Sequence, residues 1–276
     1  MSVGKVLEFG FSLIRNEPKI VLPAVLNWLP HVLLLILSFQ FFTSIKEILN
    51  LYTLEQLSKD TNLIWKILPS ILPYILATIP VAIISLFIYL LLMCIYSDII
   101  RQAYTHKNIS LVRAFLIAKL WFLSILRTYL IGFAILLGIG AIIILIIGGL
   151  SIWILSKGIV YSVFWMIFCI FIGIASVMVI LTLFYEIPAV VVVENKSGLE
   201  AILRSLNIGK RNFWQLLSVI LVAIFFTIFI KNTLSYVPYV GTLLDNLAGL
   251  ILTAWNLMIP AVFYYEYEKK DFSRSF

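Results

Sequence analysis

The chain has 276 residues, 63% of them hydrophobic and 12% charged, with a net charge of +7 and a mean hydropathy of +1.11. A water-soluble domain carries about a quarter charged residues, so this composition excludes a soluble globule. The positive charge is scattered between apolar runs and forms no basic domain, which excludes a nucleic-acid binder.

The class that remains is an all-α, polytopic membrane protein, read here as one membrane domain over residues 1–276. A hydrocarbon core of about 30 Å needs about 20 apolar residues per helix. In chain order, residues 3–14 place Val3, Val6, Leu7, Gly10, Leu13 and Ile14 on one helical stripe, with Lys5, Glu8, Ser12 and Arg15 largely elsewhere. A first span follows at 20–42, with His31 after Pro30 near its middle. It is too long for a removed signal peptide and lacks a small-residue cleavage site, so it is expected to persist. The polar stretch 43–62 reads as an amphipathic helix on the outer side. A second span, 70–96, runs into Tyr96-Ser97-Asp98. Ser110 is placed to cap a short helix to about residue 123, which leads into a third span at 128–155. Ser156-Lys157-Gly158 then turns the chain into a fourth span, 159–185, whose end reads Phe184-Tyr185-Glu186. Ser197 caps a second short helix to about residue 210, ahead of a short fifth span at 213–230. The sixth, 242–265, carries Thr253 and Asn256 and ends in Tyr264-Tyr265-Glu266.

Six crossings put both termini and the second and fourth connections on one side. That side collects fifteen of the twenty Lys and Arg, which by the positive-inside rule makes it cytoplasmic in a cell membrane. Cys94 and Cys169 lie at depths about 20 Å apart, too far for a disulfide.

The chain also repeats itself. Residues 108–118 align without gaps on 195–205, with Asn, Ser and Ala coinciding, and Ser110 and Ser197 are 87 positions apart. The preceding span ends, at Asp98 and Glu186, are 88 apart. The amphipathic stretch 3–14 supplies a fainter first copy 106 positions before Ser110, the excess over one period matching the 43–62 insertion. The expected unit is an amphipathic helix, a span out and a span back ending in an aromatic-acid pair. Three such units, at about 3–105, 108–190 and 195–270, have the same orientation, unlike the inverted repeats of many secondary transporters.

Chemistry is sparse. His31, Thr253 and Asn256 fall at mid-depth, where they either satisfy a carbonyl freed by Pro30 or line a polar pocket between spans one and six. Asp98, Glu186 and Glu266 share the inner level, with Arg113, Lys119, Arg204 and Lys210 as expected partners, either as fastenings or as a site for lipid head groups or a protein. Such basic amphipathic helices also bind an anionic leaflet by themselves. Two separated histidines and two separated cysteines give no metal cluster, and no nucleophile motif or phosphate loop is present, so no cofactor and no enzymatic activity are expected. Gly132, Gly138, Gly140, Gly148 and Gly149 are expected to allow close helix packing. Asn108-Ile109-Ser110 and Asn195-Lys196-Ser197 read as caps, since glycosylation is excluded on the cytoplasmic side.

Residues 188–217, with the leading Ile187, and the ending Ile259-Pro260-Ala261-Val262-Phe263-Tyr264-Tyr265-Glu266-Tyr267 resemble the membrane domain that precedes the catalytic domain in some glycerophosphodiester phosphodiesterases. That domain also occurs as stand-alone prokaryotic membrane proteins. The resemblance implies a fold and a membrane location, and it implies no catalytic residue, because no phosphodiesterase domain is found in these 276 residues. The functional expectation is a non-enzymatic module whose partners are membrane lipids or a cytoplasmic or membrane protein. The alternative is a transporter or channel for a hydrophobic, lipid-like substrate along an axis lined by His31, Thr253 and Asn256.

Overall fold

The computed structural model describes residues 3–51, 61–105, 108–155, 159–236 and 241–269, and every described element is helical. Helix α1 (Val3–Asn16) is followed by a 3₁₀ segment, Pro18–Asn27, whose prolines withhold backbone donors, and then by α2 (Trp28–Leu51). Two long helices come next, α3 (Thr61–Tyr104) and α4 (Leu111–Leu155), and then α5 (Ile159–Phe184). The short α6 (Ile187–Glu194) and α7 (Gly198–Arg211) precede α8 (Phe213–Ser235) and α9 (Gly241–Tyr264), which closes in a π turn at Tyr265–Lys269. Among the described residues six stretches are long and apolar enough to cross a membrane: Pro18–Ser44, Leu72–Tyr104, Leu111–Ala141, Val163–Glu194, Phe213–Leu234 and Leu244–Tyr267. Their outward positions carry large apolar side chains such as Phe171, Phe225 and Phe229, a surface suited to acyl chains.

The chain forms two compact units, Met1–Val21 with Leu92–Phe276, and Leu22–Leu91. In the larger one, α8 pairs with α9, α4 with α5, and α7 packs on α4, α5 and α6. Its centre is α6, where Ile187 to Val192 are all buried; Pro188 starts the helix and Asn195, at φ 59°, ends it in the left-handed conformation. The amphipathic α1 buries Val6, Gly10 and Ile14 and packs on α8 and α9. The indole of Trp255 lies against Gly10, donates from Nε1 to Leu7 O at 3.0 Å and stacks on Phe11 at 4.4 Å. In the smaller unit, Ser44 Oγ donates to Tyr74 OH at 3.0 Å and Phe41 meets Tyr74 edge-on.

Several expectations change here. The short helix begun by Ser110 does not stop near residue 123 but continues unbroken through the third span to Leu155, because nothing between Ser124 and Thr128 breaks a helix. The corresponding helix α7 does stop, at Arg211, where Asn212 leaves the helical conformation and its side chain caps Ile208 O at 3.3 Å. Residues 43–51 of the outer insertion extend α2 and are not a separate helix; 52–60 and the turn 156–158 lie outside the described residues. Pro30 sits in the first turn of α2, directly after the 3₁₀ segment and near the middle of the stretch Pro18–Ser44. Of the five glycines expected to allow close packing, Gly132 has a close neighbour, Phe184 Cε1 at 3.1 Å from an added Cβ, whereas Gly138, Gly140, Gly148 and Gly149 have nothing within 4 Å among the described residues. Cys94 and Cys169 are free thiols, as expected.

Candidate functional site: a polar junction at the helix ends

Among the described residues the buried polar side chains are Ser97, Asp98, Gln102, Thr128, Thr182, Glu186 and Ser205, all in the larger unit. Ser97, Asp98 and Gln102 lie near the end of α3, Thr182 near the end of α5, Glu186 at the start of α6, Ser205 on α7 and Thr128 within α4. Asp98, Arg101 and Gln102 occupy positions i, i+3 and i+4 of α3 and therefore share one helix face. Asp98, with no exposed surface, accepts from Arg101 Nη2 and from Gln102 Nε2 at 2.7 Å. A buried carboxylate is tolerated because it is paired and hydrogen-bonded at once. Arg101 Nη1 reaches α6, donating to Val192 O at 3.1 Å. Gln102 reaches the start of α4: its Oε1 accepts from Ser110 N at 2.8 Å and its Nε2 approaches Ser110 O at 3.3 Å.

Two tyrosine–glutamate bonds link the helix ends further. Tyr104 OH donates to Glu266 Oε1 at 2.6 Å, its ring stacked between Phe9 and Tyr265 at 4.7 Å from each. Tyr264 OH donates to Glu194 Oε1 at 2.7 Å. Glu194 also receives Arg204 Nε at 2.9 Å and Lys196 Nζ at 3.1 Å, both brought within reach by the left-handed turn at Asn195. Ser205 Oγ donates to Leu183 O at 2.8 Å, and Thr128 Oγ1 accepts from Gly198 N at 2.8 Å, so α7 is pinned to α5 and α4 by its buried face. Bonds with one charged partner contribute about 1.5–3 kcal/mol each when buried. The arrangement fastens helices; among the described residues no group of three metal-binding side chains forms.

The candidate residues divide accordingly. Asp98 and Glu266 enter the junction, and Glu186 is fully buried at the start of α6. Arg204 belongs to it too, but its partner is Glu194 and not one of the three span-end acids. Asp98 takes its cation from its own helix. Among the described residues Arg113, Lys119 and Lys210 form no ion pair, and all three are exposed. Asn256 Nδ2 donates to Thr227 Oγ1 on α8 at 3.0 Å, and Thr253 is half-buried on α9. His31 belongs to the other unit, on α2, and its side chain lies outside what is described.

Sequence reading missed Arg101, Gln102, Tyr104, Tyr264 and Glu194. A signal for the last existed: Ile-Pro-Ala-Val, three further residues and then Glu occurs at 187–194 and again at 259–266, and both terminal glutamates accept a tyrosine hydroxyl.

Comparison with family models, with curated proteins and with solved structures finds no match. Among the described residues the fold is all-helical, with six helices long and apolar enough to span a membrane, which defines the class as a multi-pass membrane protein.

Proposed function

We propose that the protein is a non-enzymatic membrane module that binds lipids or a protein partner through the basic helices around the polar junction. The observation that carries this reading is a division of labour among the polar groups. Asp98, Arg101, Glu194, Arg204 and Glu266 are engaged with the protein itself, whereas the exposed cations of α4 face outward without acid partners among the described residues. The junction acts as a brace, and what it presents is a set of amphipathic helices at one level.

The proposal includes three parallel copies of one unit, both termini in the cytoplasm of a prokaryotic cell, and kinship with the phosphodiesterase membrane domain. The buried positions support the repeat: Ala114 and Ala118 on α4 stand 87 positions from Ala201 and Ser205 on α7. Val6 and Gly10 on α1 show the same four-residue spacing, 108 positions earlier, two more than the sequence alignment suggests. Purification in native lipid, with mass spectrometry of everything retained, tests the function: selected lipids or one partner is expected, and recovery of neither counts against it.

Transport of a lipid-like substrate is the second reading, favoured by a cavity of about 190 Å³ within the smaller unit, lined by Leu34, Leu37, Ser38, Phe41, Tyr74 and Thr78. Of the polar residues assigned to the transport axis, Asn256 donates to Thr227 Oγ1 at 3.0 Å.

A further inference from the structure

Helix α4 is 45 residues long, about 67 Å at 1.5 Å per residue, more than twice the hydrocarbon thickness. All the charges of the crossing stretch Leu111–Ala141 fall in its first 17 residues, and the helix is charge-free from Thr128 on, so 111–127 is the end nearer the lipid head groups. This arm has two unlike faces. One is seated on the protein through Ala114, Ala118 and Ile125, all fully buried. The other exposes Val112, Leu116, Leu120 and Leu123, the last three at 60%, 71% and 72%, together with Arg113, Lys119 and Arg127. At 100° per residue these seven positions fall within about 120° of the helix circumference, so cations and aliphatic side chains alternate on the same face.

Such a face fits neither bulk water nor pure hydrocarbon. Leucines at this exposure require an apolar medium, and long basic side chains among them place their charge at the phosphate level by extending along the lipid. No acid answers the charge: α4 contains none, and among the described residues Arg113, Lys119 and Arg127 form no ion pair. The contrast with the neighbouring elements is specific. Arg101, Lys196 and Arg204 are paired internally, α7 leaves Lys210 exposed at its end beside Arg211, and α1 turns Lys5, Glu8, Ser12 and Arg15 outward, a mixed-charge face suited to water. Among the described residues, only the arm therefore sets three cations without ion pairs among exposed leucines.

We propose that the arm 111–127 is an anionic-phospholipid site, in which Arg113, Lys119 and Arg127 hold head-group phosphates while Val112, Leu116, Leu120 and Leu123 lie against the acyl chains. This rests on the module reading above and narrows its ligand to acidic lipid at one of the basic helices. The test uses the full-length protein in nanodiscs of phosphatidylcholine with roughly one quarter phosphatidylglycerol, reading the phosphatidylglycerol fraction retained on purification by mass spectrometry. The wild-type protein is expected to enrich phosphatidylglycerol and to lose the enrichment in high salt. Each cation near an anionic surface contributes about fivefold, so R113Q/K119Q/R127Q is expected to return the retained lipid to the bulk ratio, while K5Q/R15Q on α1 leaves enrichment unchanged. Should the triple variant not fold, K119Q alone, at an exposed position, is expected to lower the retained phosphatidylglycerol-to-phosphatidylcholine ratio about fivefold toward the bulk value. Enrichment that persists in these α4 variants overturns the arm assignment but leaves the module reading standing. A wild-type protein that enriches no acidic lipid, or retains a protein on this face instead, overturns the lipid assignment, and the module reading then rests on the partner found in native lipid.

Discussion

Gly209, in the amphipathic α7, and Gly140, in the apolar part of α4, are both helical glycines, yet the structure gives them opposite roles. A Cβ on Gly209 would stand 3.0 Å from Leu183 Cα and 3.1 Å from Thr182 O, so the backbone of α7 rests directly on that of α5. Backbone atoms cannot swing aside as a side-chain tip can, and Gly209→Ala is expected to cost about 1–3 kcal/mol, seen as a lower apparent melting temperature in detergent. Gly140→Ala meets nothing within 4 Å and removes a poor helix former, so a gain of up to about 1 kcal/mol is expected. Equal melting temperatures for the two variants would show that α7 is not seated on α5. The sequence around each glycine does not show which one is packed against backbone, because that depends on a neighbour on another helix. Glu194 was obscured for a related reason: beside Lys196 and ahead of Glu200 it reads as part of a solvated charge cluster, and only the fold brings Tyr264 to it from 70 residues away.

At the scale of elements, spans were legible and breaks were not. A long apolar run announces a helix by composition alone, and all six appear. Where an amphipathic helix ends and a span begins depends on one or two residues: Asn212 stops α7, while the matching stretch near Ile125 has no such residue and α4 runs on. The entry into α4 is set by Gln102, which is buried and holds both the N–H and the C=O of Ser110 while donating to Asp98. Gln102→Leu leaves these groups without that partner in a buried setting, and a loss of about 2–4 kcal/mol is expected. Ser110→Ala removes only the cap to Arg113 N, a 3.3 Å bond, and should cost about 1 kcal/mol. Hydrogen exchange at the first turn of α4 separates the roles. Gln102→Leu should accelerate exchange of the Ser110 amide itself and Ser110→Ala that of Arg113; equal rates at Ser110 in wild type and Gln102→Leu would mean that Gln102 does not fix the entry.

For the whole molecule, the junction bears on topology. Phe9 of α1 stacks on Tyr104 at the end of α3, and Tyr104 bonds Glu266 beyond α9, so the first helix, the second span's end and the last span's end share one level. An even number of crossings between residues 9 and 266 meets that requirement, and six candidate spans supply it. The charge pattern adds the sign: fifteen of the twenty Lys and Arg belong to the side holding Lys5, Arg101 and Lys269, against five that include Lys157 and Lys231. Translocating that many cations is disfavoured, so the junction is expected to face the cytoplasm. Single cysteines in a Cys94→Ala, Cys169→Ala background read this out with a membrane-impermeant maleimide on intact cells. Lys157→Cys is expected to label at once, whereas Lys5→Cys and Thr105→Cys should label only after permeabilisation. The reverse pattern would invert the protein in the membrane while preserving the fold. Labelling of Lys5→Cys and Thr105→Cys from opposite sides would contradict the stacked Phe9–Tyr104 contact itself, since two rings 4.7 Å apart cannot lie across a bilayer from one another.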